Sequence, residues 1–469
     1  MSQVQTTVSP IDGSVYVERA YAQEADIEAR VTAAAKAQKA WAKTSLEQRK
    51  QICAAGVEAF EARSEKIAEE LCWQMGRPIR YAASEVASFG FRARHMLAMA
   101  DEALAEIRPL AIAGFERYIR HQPVGIVLVV APWNYPLHTP INAIMPALLA
   151  GNSVLLKHSS QTPLCAERMV EAFTQAGMPK GVFQYLHMTH QATEALIASP
   201  NIGAVAFTGS VAAGAKIEQA AVGRFIHVGL ELGGKDPSYV RADADVADAV
   251  ANTADGAFFN SGQSCCGIER IYVHAAIYDE FLGQFVELVK QYKLGRSDDP
   301  ETTLGPMVRP SAVAFVRGQI EAAVAQGAVA HINASDFELD QVGSGSNLAG
   351  SAYMAPQVLT QVDHTMAVMM EESFGPVVGI MKVASDAQAV ALMNDSDLGL
   401  TASIFSRDIS AAIVLGESLE TGTVFVNRCD YLDPELAWCG VKNTGRGCTL
   451  SKLGFAAYTR PQSFHVKTS

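Results

Sequence analysis

The chain is poor in the features that mark membrane-borne, secreted or metal-organised proteins. Its strongest apolar run, Val124 to Pro132, is about half as long as a bilayer span requires. The start, Met1-Ser2-Gln3-Val4, shows no basic stretch followed by an apolar one, so no secretory leader is expected. The eight cysteines are scattered and none forms a CxxC pair, which removes zinc knuckles and thioredoxin-type sites and leaves no metal site expected. Scattered cysteines in a chain of this length fit a reducing compartment, and a cytoplasmic location is expected. There is no G-x-G-x-x-G, no internal repeat and no low-complexity tract. Basic residues are outnumbered, 37 Lys and Arg against 49 Asp and Glu, for a net charge of −12. That balance argues against nucleic acid or an anionic membrane as a partner. An anionic ligand would have to be held by helix N-termini and single lysines.

What is present is the composition of a globular protein. Of 469 residues, 49% are hydrophobic and 18% charged, and the length predicts two or three domains. The first hundred residues read as mainly helical. A helix is predicted over 26–41, a second opens at the capping box Ser45-Leu46-Glu47-Gln48 and runs to about Met75 with a break near Arg63-Ser64, and a third covers 82–107. Arg117-Tyr118-Ile119-Arg120-His121-Gln122-Pro123 interleaves charged and apolar residues, as a half-exposed strand leaving the main body does. Such a ribbon is marginal alone and is expected to pack on a second subunit.

From 124 to 232 apolar strands alternate with amphipathic helices, the pattern of a parallel sheet covered on both faces. A doubly wound α/β domain of this kind binds ligands at the carboxyl ends of its strands. The alternation resumes after Gly233 with new elements, which predicts a second α/β domain. Asp336 to Ala349, rich in Gly, Ser and Asn, is the expected mobile surface loop.

Several segments sit where chemistry would be placed. Asn260-Ser261-Gly262-Gln263-Ser264-Cys265-Cys266 presents two adjacent cysteines behind a sharp turn. Read alone, they fit small buried hydrophobes as well as a nucleophile, which would need a lowered pKa or a nearby base. Glu231 ends the last strand of the first domain and precedes Gly233-Gly234. Pro132 and Pro136 fix the backbone around Asn134, whose amide can then be a pre-organised donor. Lys157 ends another strand, and Phe207-Thr208-Gly209-Ser210 joins a strand to a helix N-terminus, suited to a pyrophosphate.

In order and spacing these segments resemble the aldehyde dehydrogenase superfamily along essentially the whole chain. The matching pieces are Pro132-Trp133-Asn134, Phe207-Thr208-Gly209-Ser210, Glu231-Leu232-Gly233-Gly234-Lys235, Gly262-Gln263-Ser264-Cys265 and Glu372-Ser373-Phe374-Gly375-Pro376. The resemblance implies NAD(P)-dependent oxidation of an aldehyde to a carboxylic acid. Cys265 would attack the carbonyl, the Asn134 side chain and the Cys265 N–H would hold the oxyanion, and Glu231 would activate water against the thioester. It also implies cofactor contacts from Trp133, Lys157, Ser160, Gly209, Ser210, Glu372 and Phe374, and an aldehyde tunnel lined by Tyr135, Phe259, Cys266, Leu432 and Trp438. The architecture implied is two Rossmann-like doubly wound domains, one over 1–105 and 124–233 for the dinucleotide and one over 234–443 for catalysis. Residues 106–123 and 444–469 would form an oligomerisation ribbon and tail, in a homodimer or homotetramer.

Two departures from the family pattern bear on specificity. His158-Ser159-Ser160 stands where Pro-Ser-Glu is usual. Loss of that Glu removes repulsion of a 2′-phosphate, so NAD or NADP is expected as cofactor, with NADP tolerated or preferred. Ala437-Trp438-Cys439-Gly440 stands where Pro-Phe-Gly-Gly is common, so Trp438 and Cys439 are expected to reshape the substrate mouth. The aromatic lining points to a medium-sized apolar or aromatic aldehyde. Arg428 and His138 leave a carboxylate-bearing semialdehyde open. Thioester release to coenzyme A, a non-catalytic protein of the same fold, and a cofactor-free cysteine hydrolase remain as rivals.

Overall fold

The computed structural model describes residues 4–337 and 351–468. Most of the expected loop over 336–349 therefore lies outside the described residues.

The apolar runs after residue 124 form a parallel sheet in the spatial order Phe183–Tyr185, Ser153–Lys157, Ile126–Val130, Ile202–Thr208 and His227–Glu231. Burial on both faces explains the unbroken apolar sequence. Ile126, Leu128 and Val130 join Leu155, Val205 and Phe207 on one side, while Val127 and Val129 join Val154, Leu156 and Ala204 on the other. The chain leaves Ile126–Val130 toward one edge and Ile202–Thr208 toward the other. These two strands are neighbours, so the exits carrying Asn134 and Ser210 flank the crevice at a topological switch point.

The early helices supply the cover for one face. Glu24–Trp41 starts two residues before its expected position, Ser45 and Gln48 make the capping box, and the break at Arg63 separates Leu46–Glu61 from Ser64–Met75. Ile79–Ala103 lies slightly N-terminal to the expected 82–107. Among the described residues no helix is long and apolar enough to cross a membrane.

The second sheet has the order Val329–Ala330, Gln357–Thr360, Val377–Val383, Ile268–His274, Asp236–Val240, Thr401–Phe405 and Thr423–Val426, parallel except at Val329–Ala330. Asp236–Val240 was not expected as a strand, because Asp236 and Ser238 occupy buried positions. Asp236 is satisfied there by the Thr401 hydroxyl at 2.6 Å. The opening hairpin, Val4–Val8 with Val15–Ala20, was missed for the same reason: its inward positions include Gln5 and Thr7.

The ribbon Phe115–Pro123 pairs antiparallel with Thr459–Lys467, and Tyr118 stacks on Phe464 at 4.7 Å. Only the last part of the expected tail joins it. Gly445–Arg446 pairs with His227–Glu231 at the edge of the first sheet, and Leu450, Phe455 and Tyr458 enter the first domain's core. The apolar side chains of 444–458 draw that stretch away from the ribbon.

Candidate active site

The helix Val246–Phe258 delivers the chain to the cysteines, and a tight turn then reverses it. Asn260 and Ser261 hold left-handed φ of 54° and 56°, and Gly262 follows at 69°. A Cβ on Gly262 would lie 2.2 Å from the Gly375 carbonyl oxygen, so only glycine fits. The turn is fastened from outside: the Val308 N–H donates to Gln263 Oε1 at 2.8 Å and the Ser261 hydroxyl to the Gly305 carbonyl at 2.8 Å. One residue later the two thiols part. Cys265 is half-exposed, whereas Cys266 is buried and donates its Sγ–H to Asp430 Oδ1 at 2.8 Å. The neighbouring Cys265 thiol, then burial and the Asp430 carboxylate, push the Cys266 thiol well above its usual range. Cys266 is thereby held as a thiol.

Asn134 is buried beside this turn, its Nδ2 donating to the Gln263 carbonyl at 3.2 Å. Its own carbonyl accepts from Arg77 Nη2 at 2.7 Å, and Arg77 Nε reaches Asn260 Oδ1 at 3.3 Å. Arg77 is ion-paired with Glu85, and Glu85 Oε1 accepts the Leu137 N–H at 2.9 Å. One buried ion pair thus ties the Asn134 loop to the cysteine turn.

Glu231 ends its strand partly buried, and burial raises its pKa. Thr449 and Thr208 hydroxyls donate to its two oxygens at 2.5 and 3.1 Å. The following glycines pass through a gap without room for side chains. A Cβ on Gly233 would lie 2.2 Å from Glu372 Oε1, and one on Gly234 would lie 2.5 Å from the Cys265 carbonyl oxygen. Burial, then the nearby Glu269, raises Glu372 to about 8. Glu269 accepts the backbone N–H groups of Ser373 and Phe374 at 2.8 and 2.9 Å and pairs with Lys235 at 2.5 Å, fixing that loop. Phe374, at a φ of 53°, meets Trp133 edge-on at 5.7 Å.

A cleft of about 890 Å³ brings these groups together. Its walls include Asn134, Glu231 and Cys265, and all seven expected cofactor residues: Trp133, Lys157, Ser160, Gly209, Ser210, Glu372 and Phe374. Ser210 caps the helix Val211–Ala220, accepting the Ala213 N–H at 3.3 Å, and so opens a helix N-terminus onto the cleft. Lys157 is buried in the cleft wall, and burial lowers its pKa to about 8. Thr7 of the opening hairpin donates to the Ser160 carbonyl at 2.8 Å.

The five expected tunnel residues do not line this cleft. Cys266 and Trp438 are buried in one apolar cluster, with Leu432 and Cys265 packed against it. Trp438 is 5% exposed, and its backbone pairs with Thr449, the residue that holds Glu231. Phe259 packs on Tyr81 at 5.2 Å. Tyr135 stacks on His138 at 4.8 Å and lies under Arg77 at 4.6 Å. Burial, then Arg92 and Arg77, holds His138 neutral, while exposed Arg428 lies 3.5 Å over the Tyr431 ring.

Residues 2–464 match the model of the aldehyde dehydrogenase family. The chain belongs to that family. It is 32% identical over 467 residues to a succinate-semialdehyde dehydrogenase [NADP(+)] of Mycobacterium avium, covering 99% of this chain and 97% of that one. A succinate semialdehyde dehydrogenase [NAD(P)+] of Escherichia coli is 34% identical over 463 residues, 97% and 96% of the two chains. Among solved structures, succinic semialdehyde dehydrogenase from Streptococcus pyogenes in complex with NADP+ superposes with a TM-score of 0.92 at 29% identity, covering 99% of this chain and 100% of that one.

In this aldehyde dehydrogenase several site residues carried no local signal. Gly76-Arg77-Pro78 reads only as a helix stop, Glu85 and Arg92 as helix-surface charges, Glu269 as a strand end and Asp430 as a loop acid. Each acquires its place through elements distant in sequence. An arginine and a glutamate seven residues apart on an otherwise apolar helix face were the one available hint.

Proposed function

We propose that the protein oxidises a short aldehyde carrying a distal carboxylate to the corresponding acid, with NAD+ or NADP+. The observation that carries this reading is the single cleft whose walls hold Cys265, Asn134 and Glu231 beside the helix N-terminus at Ser210. Its volume, that helix end, Lys157, and the Glu372–Phe374 loop suit a dinucleotide, which supplies the hydride acceptor when bound. The lack of an acidic side chain at Ser160 is compatible with a 2′-phosphate there.

Cys265, as thiolate, attacks the carbonyl carbon and forms a C–S bond. The second Asn134 Nδ2 hydrogen and the Cys265 backbone N–H stabilise the resulting oxyanion. Loss of hydride leaves a thioester on Cys265. Glu231 takes a proton from water as it attacks, the C–S bond breaks, and the carboxylate leaves. Its raised pKa makes Glu231 a stronger base than an exposed carboxylate. Names of relatives at 32–34% identity favour the semialdehyde over the apolar or aromatic aldehyde.

Reduced-nicotinamide absorbance, read with NAD+ and NADP+ across semialdehyde, aliphatic and aromatic substrates, tests the proposal. Turnover abolished in Cys265→Ala, with free acid formed without coenzyme A, is the expected result. Acid formation that requires coenzyme A would transfer the reading to an acylating enzyme, and absence of nucleotide binding would overturn it.

A further inference from the structure

Arg92 stands on the helix Ile79–Ala103 and is 6% exposed. A guanidinium withdrawn from water ordinarily meets a carboxylate, as Arg77 meets Glu85, because an uncompensated buried charge is costly. Among the described residues Arg92 makes no such ion pair. Its Nη1 donates to the His138 carbonyl at 3.1 Å, and with the Asn142 amide turned to satisfy its own bonds, to that side-chain oxygen at 3.3 Å. Both acceptors are neutral.

The surroundings are those of the reacting carbon. His138, to which Arg92 is fastened, stacks on Tyr135, the residue after Asn134; burial lowers the Arg92 pKa, against the opposing pull of Cys266, Glu231, Glu85 and Cys265. Arg92 is absent from the walls of the cofactor cleft. Asp430, the acid beside Cys266, is occupied by the Cys266 thiol and is not ion-paired with Arg92. A cation is thus held near the nucleophile, away from the cofactor cleft, with guanidinium donors to spare.

We propose that Arg92 binds the distal carboxylate of the substrate and makes the site select a carboxylate-bearing aldehyde over an uncharged one. This rests on the semialdehyde reading above. It differs from a purely electrostatic role, in which Arg92 would steady the Cys265 thiolate or Glu231. That role would affect every aldehyde alike.

The test compares succinate semialdehyde with butanal, which has the same number of carbons and no charge. For the wild type, kcat/KM should favour succinate semialdehyde. In Arg92→Gln the ratio of the two values should collapse by about a hundredfold, mainly through KM for the charged substrate, with Arg92→Lys recovering part. A parallel measurement on the wild type needs no variant: succinate should compete with butanal, and the uncharged butanamide should compete far less. Equal losses for both aldehydes in Arg92→Gln, or equal inhibition by succinate and butanamide, would overturn the assignment. Wild-type turnover of butanal without preference for succinate semialdehyde would sink this inference and leave aldehyde oxidation standing. No turnover of any aldehyde would overturn both.

Discussion

The two sides of Cys265 are built differently. Toward the cofactor cleft, most of the groups come from the strand ends of a single sheet: Lys157 and Glu231 end strands, Gly209 and Ser210 follow one directly, and Asn134 lies on the exit from another. On the other side, Arg92 comes from an early helix, Tyr135 and His138 from a strand exit and helix start, and Asp430 from a loop far along the chain. The first side is a property of local segments repeated along one sheet. The second is an assembly of elements that only packing brings together. Recognition of a common cofactor can thus rest on short motifs, while the groups on the other side depend on contacts that can be exchanged one at a time.

The adjacent cysteines give the sharpest way to break this contrast. Cys265→Ala should lower kcat by about 10⁴-fold or more, since the covalent step has no substitute. Cys266→Ala should keep kcat within about threefold, because its thiol is buried, protonated and committed to Asp430. Comparable losses in the two variants would mean that the division between them is wrong.

Within the cleft, Glu231→Gln should slow turnover by about 10²–10⁴-fold while leaving the burst of reduced nicotinamide. Stopped-flow absorbance separates the two phases, and loss of the burst would place Glu231 before hydride transfer. Asn134→Ala should cost about 10²–10³-fold in kcat, through the oxyanion, with nucleotide binding retained.

Lys157→Met tests the far end of the same cleft and should weaken nucleotide binding by about tenfold, with kcat little changed. Burial lowers the Lys157 pKa to about 8, so its positive charge is lost as pH rises through that value. Titrations of wild type with nucleotide should therefore show affinity falling above about pH 8, and the variant should lack that step.

The smallest effect belongs to the substrate side. Burial raises Asp430 from 3.8 to about 7, so the fold favours its neutral form. Stability from this group is present below the unfolded value and declines as pH rises toward about 7, beyond which the penalty is constant. Asp430→Asn should raise the melting temperature by about 2 °C at pH 8 and by less at pH 5. Equal shifts at both pH values would show that ionisation of Asp430 is not the cause.

Legibility in the sequence follows the same boundary. The parallel strands could be read because burial on both faces demands unbroken apolar runs, as at Ile126–Val130. The hairpin Val4–Val8 and the strand Asp236–Val240 could not, because Gln5, Thr7, Asp236 and Ser238 are buried polar residues whose partners lie elsewhere. Residues 444–458 were assigned to the ribbon, although Leu450, Phe455 and Tyr458 find their apolar surroundings in the first domain. The aromatic tunnel is an expectation from the family resemblance, which does not carry the packing: Trp438 pairs through its backbone with Thr449, and Tyr135 stacks on His138 beneath Arg77.

The sequence by itself determined the two wound sheets, the strand ends that face the crevice with Asn134 and Glu231, and the glycine turn that presents Cys265. These rest on periodicity, on glycines that allow close passage, and on turns of a few residues, all of which act over short stretches of chain. Tertiary structure alone decided that Cys266 is committed to Asp430, what clamps Asn134, and where Arg92 lies. Those depend on burial and on charges meeting across long stretches of chain, and neither quantity exists until the elements have packed.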